Sequence, residues 1–325
     1  MNIRSITTAL ALSLPLAAAP LVFEGGDGPG KGKHVVLVSG DEEYRSEEAL
    51  PMLGKLLAER HGFKCSVLFA INKETGEIDP NEQTNIPGME AIDSADFVIL
   101  ALRFRELPDG DMKHLVDYVE AGKPLLGLRT STHAFRYSRD EESPYAKWSF
   151  NSKEWPGGFG RQVLGETWIN HHGHHGKEST RGIIDEANAG HPLVRGVEDV
   201  WGDSDVYGIK NYPEDAKTLI HGQVLTGMSP DDPPVEGEKN DPMMPVAWVR
   251  ELDVNGNQQK IICSTMGAAT DFTAPGLRRF VVNSAYWATG LEVPEELNAD
   301  PVDEFKPTNF GFNKFIKGRK PEDYR

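Results

Sequence analysis

The sequence is short of cysteine, of long apolar runs and of the glycine-bearing fingerprints of the common cofactor folds. Each shortage removes a class of protein. Only two cysteines occur in 325 residues, Cys65 and Cys263, and no C-x-x-C pair exists. Thiol-redox motifs and cysteine-based zinc modules are therefore excluded. Each cysteine sits inside an apolar run that reads as a strand, so two buried free thiols are expected rather than a disulfide. Beyond the amino terminus no stretch approaches the ~18 apolar residues of a membrane span. Nothing repeats at a fixed period, which excludes a solenoid or propeller. No dinucleotide or Walker fingerprint follows a strand, so no nucleotide cofactor is expected. The Gly-rich stretch 24–32 precedes a strand, the wrong order for a phosphate cradle. No G-x-S-x-G elbow is present either, which argues against acyl-enzyme chemistry.

Charge is one-sided. Fifty Asp and Glu against 34 Lys and Arg give a formal net charge of -16. Such a surface repels phosphate backbones and argues against nucleic-acid partners. Solubility alone accounts for the charge. At the amino terminus Arg4, the apolar stretch 6–16 and the small residues Ala17, Ala18 and Ala19 have the layout of a secretory signal peptide. An uncleaved anchor is the alternative. The expected organisation is a signal peptide over 1–19, a linker over 20–32, one domain over 33–292, and a tail over 293–325 packed on it. Export to a periplasmic or extracellular space follows, with no stable membrane insertion once the signal is removed.

The domain reads as α/β. Apolar runs predict parallel strands over 34–39, 64–70, 96–102 and 124–128. Helices are expected over 47–61, with Leu50, Leu53 and Leu57 on one face, and over 108–122, with Met112, Leu115, Val116 and Val119 inward. This β-α-β order points to a doubly wound parallel sheet. Shorter strands are expected near 181–185, 217–221, 244–250 and 260–265. A last helix is expected over 275–289. In the tail, Phe305, Phe310, Phe312 and Phe315 are expected to pin the chain to the surface.

In a parallel sheet ligands bind beyond the carboxyl ends of the strands. Three polar loops leave such ends: Asp41, Glu42, Glu43, Tyr44 and Arg45; Arg103, Phe104 and Arg105; and Arg129, Thr130, Ser131, Thr132 and His133. Carboxylates accept from hydroxyls and arginines offer a rigid donor fork, so one shared cleft would suit a polyhydroxylated or anionic ligand. A structural ion-pair network is the alternative. His133 could be a general base, a metal ligand or a packed core residue. A second constellation is Asn170-His171-His172-Gly173-His174-His175-Gly176. Several imidazoles this close could serve one divalent metal, zinc or manganese. A solvent-facing polar loop is the alternative. Asp203, Asp205 and Asp271 could complete such a site, but sequence cannot bring them near.

Taken in order, Val36-Leu37-Val38-Ser39-Gly40, Arg103-Phe104-Arg105, Gly127 to His133, Pro245-Val246-Ala247-Trp248, and the closing Ser264-Thr265-Met266-Gly267 with Asp271-Phe272 and 282–287 resemble the ThuA-like (trehalose-utilisation) family over residues 33–290. The resemblance implies a fold similar to class I glutamine amidotransferases, a flavodoxin-like three-layer α/β/α sandwich without the amidotransferase cysteine. It implies disaccharide catabolism through 3-keto sugars, and carries His133 over as a site residue. Gly267-Ala268 stands where relatives often have Gly-His, and His171 to His175 is the natural substitute. The expected function is a carbohydrate-active protein that abstracts a proton from a 3-keto-disaccharide or glycoside, with metal assistance. His133 and Arg129 would be catalytic, with Glu42, Glu43, Tyr44, Arg45, Arg103, Arg105 and Thr130 on the substrate. Metal would sit on His171, His172, His174 and His175. The alternatives are a non-catalytic carbohydrate-binding domain and a metal-binding or interaction module.

Overall fold

The computed structural model describes residues 19–325, so the export segment expected at 1–19 lies, apart from Ala19, outside the described residues. In chain order the elements are β1 (Leu21–Phe23), β2 (His34–Gly40), α1 (Ser46–His61), β3 (Lys64–Phe69), β4 (Phe97–Leu102), α2 (Asp109–Glu120), β5 (Leu125–Leu128), β6 (Thr180–Ile184), β7 (Trp201–Gly202), β8 (Ala216–Val224), β9 (Met244–Val254), β10 (Asn257–Ser264) and α3 (Pro275–Ala288). They form one mixed sheet in the order β1-β3-β2-β4-β5-β10-β9-β8-β6-β7.

Its centre, β3-β2-β4-β5-β10, is parallel throughout. All six residues of β4 are buried, as a strand covered on both faces must be. The two-residue side-chain period divides the core. Val35 and Leu37 of β2 join a cluster with Leu50, Leu53 and Leu57 of α1 and Leu277, Phe280 and Val281 of α3. Val36 and Val38 join Met112, Leu115, Val116 and Val119 of α2 on the other face. Helix α1 ends at Gly62, whose φ of 80° is the left-handed conformation of a helix C-cap. Both cysteines are buried and free. Cys65 on β3 and Cys263 on β10 are four strand spacings apart, roughly 19 Å, which no disulfide spans.

The sheet departs from the all-parallel expectation in its second half. Strands β9, β8, β6 and β7 continue it antiparallel. The reversal is made at Asn255-Gly256, where both residues have positive φ, 54° and 80°. Asn-Gly between two strands is a type I′ hairpin signal, and it forces β10 to return beside β9. The stretch 20–32, expected to be linker, also contributes β1, which pairs antiparallel with β3. Among the described residues no helix is long and apolar enough to cross a membrane.

Nothing lies near the position of a Cβ on Gly256, so a side chain there meets only backbone strain. Gly256→Ala is expected to cost about 1–2 kcal/mol, read as a lower denaturant midpoint with an unchanged slope.

Candidate functional site

The loops leaving the carboxyl ends of β2, β4, β5 and β10 converge. Three non-glycine residues there are held in the left-handed region: Arg45 (φ 59°) after β2, Phe104 (φ 50°) after β4 and Arg129 (φ 44°) after β5. Such conformations cost on the order of 1 kcal/mol each and persist only where the surroundings over-determine them. Here side-chain bonds do so. Asp41 Oδ1 accepts from the Glu43 and Tyr44 amides at 2.8 and 3.1 Å, and its Oδ2 accepts from Thr130 Oγ1 at 2.5 Å.

At the centre lies the buried guanidinium of Arg129. Nη1 donates to the carbonyls of Asp205 and Thr265 at 2.6 and 2.7 Å. Nη2 donates to Asp205 Oδ1 at 3.0 Å and to Tyr44 Oη at 3.1 Å. The Tyr207 and Tyr44 rings flank its plane at 3.9 and 4.5 Å. Asp205 is fully buried too, and passes the charge outward. His171 Nδ1 lies 2.7 Å from its Oδ2 and His175 Nδ1 lies 3.0 Å from its Oδ1. Burial opposes ionisation of Asp205. The charge of Arg129 and the two imidazole bonds outweigh that, holding the carboxyl well below the usual carboxylate range. The bond to Asp205 raises His175 above its ordinary value against the effect of burial. Glu43 Oε1 stands 3.6 Å from His175 Nε2, and burial, reinforced by Asp41, pushes Glu43 upward.

His171, His175 and Asp205 offer three donor atoms within 4.8 Å of one another. Bonds of about 2.0–2.1 Å set the donors of a tetrahedral ion roughly 3.3 Å apart, a few tenths of an ångström beyond the present His–Asp contacts. Two imidazoles and one ionised carboxylate suit a divalent cation. The donor set fits. The other two histidines of the cluster turn away. His172 Nε2 bonds the Lys239 carbonyl at 2.9 Å. His174 is exposed and faces Glu178. The antiparallel bridge to Tyr207 fixes His171, and the bends and turn over 172–177 bring His175 back to Asp205 while His172 and His174 face elsewhere. Asp203 and Asp271 do not join the set. Asp271 accepts from the Ser204, Gly267 and Ala268 amides and from Ser204 Oγ, a structural cap. Asp203 bonds Thr270, and burial, with the charge of Asp271, raises it to about 6.

His133 is buried in an aromatic box, its ring 5.1 Å from Phe104, 5.5 Å from Trp168 and 6.2 Å from Tyr207. Its polar contact is Thr132 Oγ1 at 3.2 Å. Burial, then the charges of Arg103 and Arg129, lower it well below its ordinary value, so it is neutral at pH 7. Arg103, only partly covered, pairs with Glu42 and lies 3.6 Å from Glu43. Arg105 is fully buried, and its donors go to Glu42 and to the carbonyls of Pro80, Glu82 and Arg103. Thr130 is likewise buried. Arg45 Nη2 donates to the carbonyls of Glu42, Glu43 and Gly311, and its Nη1 lies 3.5 Å from Glu47 Oε1. Burial, against the opposing charge of Arg45, pushes Glu47 up to about 8. A separate cavity of about 310 Å³ lies between α1 and the tail, lined by Met52, Lys55, Phe305, Ile316 and Tyr324 among others. It lies away from the histidines and gathers no comparable donors, so the convergent loops remain the better candidate.

Sequence reasoning placed His171, His175, His133 and the arginines in play. It left Asp205 unplaced, and missed Trp168, Tyr207 and the aromatic wall they form. Asp205-Val206-Tyr207 carries no motif, and its one signal is the acidic pair Asp203 and Asp205 between Trp201 and Tyr207.

No family model and no curated protein matches this sequence. Solved structures do. A ThuA-like protein from Bacteroides uniformis ATCC 8492, so described, superposes with a TM-score of 0.50 at 15% identity, over 81% of this chain and 93% of that one. A second protein so described, from Parabacteroides merdae ATCC 43184, gives 0.53 at 14% identity, over 87% and 98%. The shared property is an α/β fold built on a mixed sheet.

Asp205→Asn leaves the Arg129 charge buried without its counter-ion. It is expected to lower stability by about 3–5 kcal/mol, measured by urea unfolding at pH 7. Arg129→Met should do comparable damage, and the double variant less than the sum. Glu47 has the opposite pH signature. Its folded value near 8 lies above an unfolded value of about 4.3, so the folded state holds the extra proton. Its favourable contribution is present at low pH and is lost as pH rises from about 4 to 8. Glu47→Gln is therefore expected to match the wild type near pH 4 and to gain on it progressively up to pH 8, in parallel unfolding curves.

Proposed function

We propose that this chain is an exported carbohydrate-active protein of ThuA-like type, acting on a 3-keto-disaccharide or glycoside at the centre formed by His171, His175 and Asp205. The observation that carries the reading is Asp205, held ionised by Arg129 and presenting two imidazoles beside Glu43. Carboxylates, arginine and aromatic faces gather around the partly exposed His171 and His175, which suits a hydroxyl-rich ring. The sheet supports the same assignment: counted by chain order, its parallel strands run 2-1-3-4-5, the flavodoxin-like order. The resemblance of the sequence motifs and the likeness of fold to two ThuA-like proteins point the same way.

A divalent ion, zinc or manganese, held by His171, His175 and Asp205 would supply a Lewis acid for the carbonyl oxygen of a keto sugar. The chain's own residues do the rest. A C–H beside that carbonyl is acidified, and a neutral His133, sharing the Trp168 and Tyr207 walls with His171, is the group to accept its proton. Arg103 places positive charge beside Glu42 and Glu43. Arg129 spends its Nη donors on the protein and acts by keeping Asp205 ionised. The same burial that keeps His133 neutral weakens it as a base, which favours a second reading, a carbohydrate-binding domain without turnover.

The mature protein incubated with disaccharides and their 3-keto counterparts, with and without chelator, separates the two. New reducing products from the keto sugars alone, lost on chelation and regained with zinc or manganese, are expected. His171→Ala and His175→Ala should lose the metal, while His172→Ala and His174→Ala keep it. His133→Gln should slow turnover about 10²–10⁴-fold with sugar affinity little changed. Sugar binding with no product under any metal would leave the binder.

A further inference from the structure

The tail does more than rest on the surface. Thr308 is anchored through its amide and hydroxyl to the Glu48 carboxylate at 2.7 and 2.5 Å. The Gly311 amide donates to the Glu43 carbonyl at 2.7 Å. The Gly311 carbonyl accepts from Arg45 Nη2 at 2.7 Å. That last contact fills out the shell of a fully buried arginine, and a buried cation stripped of a partner is costly. The segment 308–312 is thus built onto the loop after β2 and the start of α1. Between these anchors the Phe310 ring packs at 5.3 Å on Tyr44 and at 5.3 Å on His175. Two residues on, Phe312 lies at 4.9 Å from the Arg103 guanidinium.

His175 needs such support. It sits between Gly173 and Gly176 in an irregular loop, with its ring more than a third exposed. Glycine-flanked loops lose much conformational entropy on ordering, and one bond to Asp205 fixes the Nδ1 direction without fixing the ring plane. The Phe310 face at 5.3 Å, with the His171 ring at 4.9 Å and the Tyr44 ring at 6.2 Å, limits the remaining freedom. Its neighbour Tyr44 accepts at its hydroxyl oxygen from Arg129, the partner of Asp205. Ring, arginine and carboxylate form one packed chain from the tail to the proposed ligands.

We infer that Phe310 is a positioning residue for the His171–His175–Asp205 centre, and that docking of the segment 308–312 and occupation of that centre by a divalent cation favour each other. The inference rests on the metal reading above. Coupling of this kind is reciprocal: the cation must tighten the tail as much as the tail favours the cation.

The test is zinc binding by calorimetry on the full mature chain, with hydrogen exchange at the Gly311 amide as a second readout. Wild type, Phe310→Ala, Phe310→Tyr and Phe305→Ala are compared. Phe305 belongs to the tail but packs on the core below α1, so it controls for general loosening. Phe310→Ala is expected to weaken zinc binding about tenfold, at the low end of what removing a supporting group costs a metal site. Phe310→Tyr should restore it and Phe305→Ala should leave it unchanged. Zinc should slow Gly311 exchange in the wild type and not in Phe310→Ala. Equal zinc affinity in Phe310→Ala, with no zinc effect on Gly311, overturns the inference and leaves the metal centre standing. Equal weakening by Phe305→Ala and Phe310→Ala overturns the positioning role. A wild type that takes up neither zinc nor manganese overturns the metal centre and this inference together.

Discussion

A guanidinium buried at the end of a central strand sets the terms for the rest of this structure. Arg129 follows β5 in a strained left-handed conformation and is almost wholly removed from water. A lone charge there would cost several kcal/mol. It is tolerated because three parts of the chain supply partners: Tyr44 from the loop after β2, the segment 205–207 through the Asp205 carboxylate and carbonyl and the Tyr207 ring, and Thr265 after β10. Satisfying one cation therefore brings together loops that lie far apart in sequence.

The consequence is a graded transfer of charge from core to surface. Arg129 holds Asp205 well below the usual carboxylate range, and Asp205 orients two imidazoles toward solvent. Around them, Glu42 and Glu43 are offset by Arg103 and Arg105, while His133 stays neutral among aromatic rings. Groups with opposite tendencies thus stand side by side, the condition under which acid, base and ligand roles separate at one pH. The tail enters the same network through Arg45, which gives one hydrogen-bond donor to both the loop after β2 and Gly311.

The parallel core was legible because local chemistry and global burial agree there. Strands β2 to β5 are apolar runs with turn signals at their ends, and α1 and α2 carry their stripes at helical spacing. The antiparallel half was harder. The strands near 217–221 and 244–250 prove longer, Ala216–Val224 and Met244–Val254, because their outer residues alternate with polar ones and look like loop. The Asn255-Gly256 turn that reverses the sheet was a readable signal. In the histidine cluster, composition pointed to four ligands where the backbone turns only His171 and His175 toward Asp205.

By itself the sequence determined the parallel core, the two faces it buries, the polar loops at its carboxyl end and the shortage of reactive cysteine. These depend on side-chain periodicity and on residue type, which are local. Tertiary structure alone decided that Asp205 would be the hub, that Arg105 and Thr130 would be spent inside the protein, and that a phenylalanine near the end of the chain would stand against His175. Those outcomes depend on which buried charges find partners across 30 to 266 residues of sequence, and pairing at that range is set by packing rather than by any pattern along the chain.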